Sequence, residues 1–437
     1  MSSKLITATC AALLLSAPLA RANGRLPEAN QLVVAPDDDQ QLLLRVTFGL
    51  LFSSNGGKSW DWMCEHATVP QTETSTGGFG SQDPAVTLFA GGTTAAGIIQ
   101  GLALSSDRGC AWSFWPGTEK VFVVDVARGA GGQSGVAITN VYKGADDAGT
   151  LLYDTTVLHT SDSGKSWQQL PGAIDPSLVI DTIDLAASDP QRIYITGKRF
   201  LAQTQAELLV SSDGGQSYQS LSIPLLPNET GAYIAAVDPL VADRVYVRTL
   251  GSPDGGATKT SRLLVTTDAG QSFGERWSGD AMLGFALSPD GSRVWLGSFG
   301  AGLLAADATT LAFTQQSTIH VQCLMASGST LYACSNEPSA GFLVGSSTDD
   351  GKTFTPLLKL ATIQQPIQCS SGTAGAVCAS EWPALAQQFG IDAGTTPPPS
   401  SGCSCDATDS SPSAWWLALG IAALGLRLRS RPSRGAR

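Results

Sequence analysis

SSDGGQSY, Ser211 to Tyr218, decides how this chain is read, because five further stretches repeat it. They are SSNGGKSW at Ser53 to Trp60, SSDRGCAW at Ser105 to Trp112, TSDSGKSW at Thr160 to Trp167, TTDAGQSF at Thr266 to Phe273 and STDDGKTF at Ser347 to Phe354. Each holds a hydroxyl residue, an acid or amide two positions on (Asn55, Asp107, Asp162, Asp213, Asp268, Asp349), then a glycine (Gly57, Gly109, Gly164, Gly215, Gly270, Gly351). An aromatic closes each copy: Trp60, Trp112, Trp167, Tyr218, Phe273 and Phe354. This is turn chemistry. The hydroxyl and carboxylate bond backbone groups across the turn, glycine accepts positive φ, and the aromatic packs inward.

The acid or amide positions are 52, 55, 51, 55 and 81 residues apart. The long last interval holds a decayed copy, GLLAADATTLAF (Gly302 to Phe313), which keeps Asp307 and the closing Phe313 but lacks the glycine. That makes seven units of one reused supersecondary element.

Each unit runs in the same order: an apolar strand, a turn often carrying Asp-Pro, a second strand with Tyr or Trp, a third strand entering the repeat, and a fourth leaving it. Ile183 to Ala187, SDPQ, RIYITG and ELLVSSDGGQSY make one unit. Ile234 to Val237, DPLVAD, RVYVRT and RLLVTTDAGQSF make the next. Short apolar runs bounded by Gly, Pro, Asp and Ser are strand and hairpin signals, and four strands per repeat is the blade of a propeller. The predicted fold is therefore all-β, a β-propeller of seven four-stranded blades over 23–394. The stretches PIQCSS and AVCAS around Cys369 and Cys378 follow the seventh repeat and read as an eighth first-and-second-strand pair, closing the ring or starting an incomplete blade.

The N-terminal 1–22 carries Lys4, an apolar run Leu5 to Leu15 and the small-residue pattern Ala20-Arg21-Ala22, a secretory signal peptide. Cys10 lies within that run and is discarded with it. Of nine cysteines eight then remain, and export to an oxidising space predicts pairing. Strand adjacency predicts Cys323 with Cys334 and Cys369 with Cys378, which leaves Cys64 with Cys110 by elimination. No CxxC spacing occurs and His66, His159 and His320 are scattered, so neither a metal nor a cofactor is predicted.

Removing Lys4, Arg21 and the five arginines beyond Leu426 from 26 basic residues leaves 19 against 37 acidic ones, a net charge of −18 that speaks against nucleic acid as a partner. From Thr395 the composition changes to TTPPPSSGCSCDATDSSPS, an extended linker over 395–413. The remainder, 414–437, is the apolar run Ala414 to Leu426, short for a span, followed by Arg427, Arg429, Arg431, Arg434 and Arg437. Two tryptophans at one edge and arginines at the other fit a membrane segment with a positive inner end.

The repeats resemble Asp-box (BNR) repeats of sialidase-like propellers, sortilin-type receptors, xyloglucanase-like hydrolases and the photosystem II assembly factor, over roughly Gln31 to Phe389. That resemblance implies boxes at the outer hairpin between third and fourth strands, away from any catalytic face. The C-terminal segment resembles the myxobacterial MYXO-CTERM sorting signal, with Gly402, Cys403 and Ser404 ahead of the membrane segment and arginine cluster. This implies a sorting protease, processing near Cys403 and display at the cell surface; Cys405 is an additional nearby thiol.

Catalytic chemistry has few candidates. GRLP, Gly24 to Pro27, matches two positions of the sialidase Phe/Tyr-Arg-Ile-Pro motif, which nominates Arg25. Arg192, Arg244 and Arg293 sit at equivalent strand positions and read as strand-edge residues. The clusters Asp37, Asp38, Asp39 and Asp146, Asp147 fall in predicted turns, where solvation or calcium are the alternatives and no EF-hand spacing occurs. No GxSxG elbow, HExxH, Walker loop or dinucleotide fingerprint is present. The expectation is a surface-anchored module that binds a protein or glycan; the alternative is a secreted glycoside hydrolase, sialidase-like or xyloglucanase-like, with dispersed carboxylates.

Overall fold

The computed structural model describes residues 26–68, 85–201, 203–252 and 259–391. The predicted signal peptide, Arg25, the linker, Gly402-Cys403-Ser404, Cys405, the apolar segment and the arginine tail lie outside the described residues. Within them are seven four-stranded antiparallel sheets and one two-stranded hairpin. Each sheet uses strands in chain order, interrupted only by the hairpin inserted in blade 3, so the molecule is a β-propeller of seven blades.

The first strands are Ala29–Val34, Ala85–Leu88, Val123–Arg128, Val179–Leu185, Glu229–Val237, Met282–Leu287 and Val321–Ser327. They line the central axis. In blade 3 a hairpin, Val141–Ala145 with Leu151–Asp154, is inserted between the second strand Gly135–Thr139 and the third strand Val157–Thr160.

Middle strands are sandwiched between neighbouring blades and are buried on both faces, which is why they read as continuous apolar runs. Ile193, Tyr194 and Ile195 are all at most 1% exposed. The fourth strands, such as Gln168–Gln169, form the polar outer edge. The apolar core is consequently distributed over the seams. Tyr194, Leu208, Val245 and Leu264 pack between blades 4 and 5, while Tyr246, Leu263, Val294 and Leu296 pack between blades 5 and 6.

Polar struts cross the same seams. Tyr194 donates its hydroxyl to Ala242 O at 2.7 Å, and Arg192 pairs with Asp243 of the next blade at 2.7 Å. Arg293 and Trp295 both reach Asp350 of the next blade. Arg244 instead pairs within its own blade, with Asp238 at 3.1 Å.

Ring closure corrects two expectations. Blade 1 contains only N-terminal strands and blade 7 only C-terminal ones, and their first strands meet directly. The chain beyond blade 7 then runs along the outer edge of blade 1: Trp62 N donates to Gln365 O and Ile367 N to Trp62 O, both at 2.8 Å. It is pinned by disulfides Cys64–Cys378 and Cys110–Cys369, not by the expected Cys369–Cys378 and Cys64–Cys110. The third bond, Cys323–Cys334, joins adjacent strands as predicted.

Of the residues read as an eighth strand pair, PIQCSS makes only an isolated bridge, Pro366 with Trp62, and AVCAS lies in a 3-10 turn, Ala374–Val377, and a helix, Cys378–Phe389. Cys378, Trp382 and Ala386 make its buried face, a four-residue period that short β-like flanks obscured. Trp382 packs on Trp62 and Phe389 on Phe48, so the helix caps blade 1. Among the described residues no helix is long and apolar enough to cross a membrane.

Candidate functional site

First and third strands of a blade run parallel, so the turns after both lie on one face of the ring, and the second-to-third and fourth-to-first connections lie on the other. All six repeat turns sit between third and fourth strands and therefore share the first face. Their geometry is uniform. Ser211 Oγ donates to Asp213 Oδ1 at 2.8 Å and accepts from Gly215 N at 2.8 Å, and Asp213 Oδ1 accepts from Ser217 N at 3.0 Å. Asn55, Asp107, Asp162, Asp268 and Asp349 each accept the backbone amide four residues on in the same way.

Hydrogen bonds from Ser166, Ser217 and Ser272 hold Asp162, Asp213 and Asp268 down to about 2. Glycine is required by space as well as by φ: a Cβ on Gly351 would lie 2.2 Å from Leu303, and one on Gly164 would lie 2.7 Å from Phe89. Trp60 and Trp167 are buried and donate back to Gly57 O and Gly164 O. In the decayed copy Asp307 caps Thr309, and Leu311 takes the left-handed position at φ 53°. The repeat hydroxyls and carboxyls are spent on their own turns, which marks these residues as structural.

The axis is the concave feature. On the repeat side it opens into a cavity of about 610 Å³ lined by first-strand residues of all seven blades. Adjacent first strands splay there without a continuous ladder, and side chains satisfy the amides left over. Gln31 exchanges two hydrogen bonds with Val86, Thr182 Oγ1 accepts from Ile234 N at 3.0 Å, and Asp125 Oδ2 accepts from Ile183 N at 3.0 Å. Asp184 accepts from Leu185 N at 2.8 Å, and the Val237 amide also favours its charged form.

Burial pushes Asp125 up to about 6 and Asp184 up to about 7, against their backbone hydrogen bonds; the Asp125 charge adds to the rise at Asp184. Arg128 stands beside Asp184 and donates to Val34 O at 3.0 Å. Both carboxylates face the cavity, yet their lone pairs already join one blade to the next.

The other half of the channel is a pocket of about 210 Å³ around Tyr233, Arg248 and Met282. Arg248 lies 5.3 Å from the Tyr233 ring centroid, and Lys198 lies 5.7 Å from it. Lys198 is neutralised by Asp181 at 2.7 Å and also stands over Phe200. The face around this mouth also carries most of the exposed large hydrophobic side chains. Of eleven exposed large hydrophobic residues among those described, nine (Leu26, Ile99, Tyr142, Leu151, Phe200, Leu201, Leu226, Leu283 and Phe299) belong to this face, and only Leu240 and Val241 to the repeat face. Phe299 stacks on His320 at 4.5 Å, and Tyr142 on Tyr153 at 5.6 Å.

The acidic clusters read from sequence serve turns. Asp37 accepts from Gly91 N of blade 2, Asp38 from Gln40 N, and Asp39 from the Gln40 side chain. Asp146 accepts from Ala148 and Thr150 at the tip of the inserted hairpin. His66 pairs with Glu381 and His159 lies apart in blade 3; no group of three metal-ligating side chains comes together among the described residues.

Sequence reasoning passed over Asp125, Asp184, Tyr233 and Arg248. Their one signal is a charged or phenolic residue inside an otherwise apolar strand, as in VVDVAR and DTIDL.

No family model matches this chain, and no curated protein does. Among solved structures it is similar to a GH74 enzyme of Niastella koreensis at 13% identity, over 77% of this chain and 72% of that one, with a TM-score of 0.31. It is similar to YCF48 bound to D1 peptide at 13% identity, over 70% and 88%, with a TM-score of 0.42. It is also similar to the extracellular domain of a hybrid two component system from B. thetaiotaomicron at 11% identity, over 71% and 37%, with a TM-score of 0.45. The propeller architecture rests on the strand pairing itself, and no activity passes from these neighbours to this chain.

Proposed function

We propose that the domain is a binding module that presents the face opposite the repeat turns to a protein or glycan at the cell surface. One observation carries the reading: nine of the eleven exposed large hydrophobic residues among those described belong to that face. Contiguous apolar exposure marks interaction surfaces, and aromatic platforms serve both protein and sugar partners. Three disulfides fit maturation in an oxidising compartment.

The Asp-box resemblance supports this choice of face, and the Gly402-Cys403-Ser404 motif supports anchoring in the envelope. The purified chain is screened against immobilised glycans and solubilised envelope protein. Phe200→Ala with Phe299→Ala should abolish capture at unchanged melting temperature, whereas Leu240→Ala on the repeat face should not; equal behaviour of the two variants refutes the assignment. Cys403→Ala should shift the protein from envelope to medium, and unchanged retention overturns the anchor.

A second reading, glycoside hydrolysis, draws on the two carboxylates Asp125 and Asp184, raised in pKa and facing one cavity. It ranks lower because both already bond backbone amides at the seams. Turnover of fluorogenic glycosides that Asp184→Asn abolishes would establish it against the binding-only reading.

A further inference from the structure

Several partly buried cations in this ring pair with carboxylates, whereas Arg248, facing the channel, pairs with none among the described residues. Lys198 has Asp181, Arg199 has Glu207, and Arg262 has Glu229 at 2.6 Å. Arg248 reaches from the second strand of blade 5, Val245–Gly251, into the smaller axial pocket. Its Nη1 donates to Met282 O at 2.8 Å and its plane lies over the Tyr233 ring. Among the described residues it has no carboxylate partner, and burial alone pulls its pKa down, with Tyr233 the one group acting against that.

A guanidinium has five N–H donors, and a desolvated one without a counter-charge is costly to keep. Among the described residues, one carbonyl and one ring are what Arg248 contacts. The rest of the pocket, about 210 Å³, sets polar Asn30 and Thr182 beside an apolar wall that includes Leu32, Ile234, Met282 and Leu324. The planar fork of arginine matches a carboxylate in two parallel hydrogen bonds, and the apolar wall suits a carbon chain.

We propose that this pocket binds a small organic carboxylate, with Arg248 taking the charge and the apolar wall taking the carbon skeleton. The inference deepens the reading of this face as the binding face and rests on it. Its test uses a small probe and no macromolecular partner, so the two can fail separately.

Hexanoate and its uncharged counterpart hexanamide are titrated into the purified full chain by calorimetry and followed by thermal shift. Hexanoate should bind at least tenfold more tightly than hexanamide and raise the melting temperature, because it binds the folded state alone. Arg248→Gln should weaken hexanoate at least tenfold, and Arg248→Lys should fall between the two. Since Arg248 also donates to Met282 O, Leu324→Phe provides a second variant that narrows the pocket with the arginine in place, and it too should lose hexanoate.

Equal binding of hexanoate and hexanamide, unchanged affinity in Arg248→Gln or Leu324→Phe, or inorganic phosphate binding more tightly than hexanoate would each overturn the proposal. Hexanoate binding with no capture of glycan or protein sinks the broader reading and leaves the pocket standing.

Discussion

The two halves of the axial channel treat their ionisable side chains differently. At the repeat end, Asp125 and Asp184 spend their lone pairs on backbone amides, two of them in the next blade, so the carboxyl oxygens are part of how seams are joined. At the other end, Arg248 has a single carbonyl and a ring, and no carboxylate among the described residues. A buried charge whose hydrogen bonds are consumed by the fold is structural, and one whose donors are left over points outward to a ligand. The surfaces differ too: among the described residues nine of the eleven exposed large hydrophobic side chains lie on the face opposite the repeat turns.

The largest way to break this contrast is to open the ring on which both halves depend. Cys64–Cys378 and Cys110–Cys369 close 314 and 259 residues, and the chain they hold down covers Trp62 and Phe48. Replacing all four cysteines by alanine should cost roughly 3–5 kcal/mol through the freedom returned to the unfolded chain. Trimming Cys369 to Phe389 should cost more, because it also exposes the apolar edge of blade 1. Urea titration measures both; an unaltered midpoint would mean that contact between the first strands of blades 7 and 1 closes the ring unaided.

Next comes the structural half. At pH 5, where Asp125 carries its proton, Asp125→Ala leaves Ile183 N and Val126 N without their acceptor. Each orphaned amide in such a setting costs about 1–3 kcal/mol, so a loss of about 2 kcal/mol or more is expected by urea titration. A neutral result would remove the carboxylate from the seam and strengthen the hydrolase reading.

The pH profile sharpens the contrast further. Asp125 and Asp184 rise from 3.8 in the unfolded chain to about 6 and about 7, so between those limits the folded state holds more protons than the unfolded one. Stability from this pair therefore falls as pH rises from about 4 to about 7 and levels off above. The repeat aspartates act oppositely. Asp162, Asp213 and Asp268 lie near 2, so the stability they add is complete above their unfolded pKa and is lost as pH falls toward 2. Melting temperature should peak near pH 4 to 5, and the double variant Asp125→Asn/Asp184→Asn should flatten its alkaline side. A slope that persists in that variant assigns the titration elsewhere.

Much of the architecture was legible because the turn signature needs specific atoms at fixed offsets: a hydroxyl, a carboxylate two residues on, and glycine where a Cβ would strike the neighbouring blade. Even the decayed copy kept Asp307, and so the count of seven held. The closing segment was misread because CASEWPALAQQF is short and follows two cysteine-bearing stretches with β-like flanks. Disulfide partners more than 250 residues apart cannot be inferred from spacing at all. The channel was invisible for a different reason. Asp125, Asp184 and Arg248 come from three separate blades, and only the closed ring brings them to one axis. Within each strand they look like single polar interruptions.

The smallest expected effect tests the other half directly. If Arg248 were a seam strut like Asp125, Arg248→Met would destabilise the ring by a comparable amount. It carries instead a desolvation cost that no carboxylate among the described residues offsets, and methionine fills a similar apolar volume without it. The Met282 carbonyl it releases lines the channel pocket, so that group need not be stranded away from solvent. The variant should melt within the equivalent of about 1 kcal/mol of the parent, on either side, while losing hexanoate binding; residues kept for a ligand typically trade stability in this direction. A fall matching that of Asp125→Ala would make Arg248 structural and erase the distinction between the two ends of the channel.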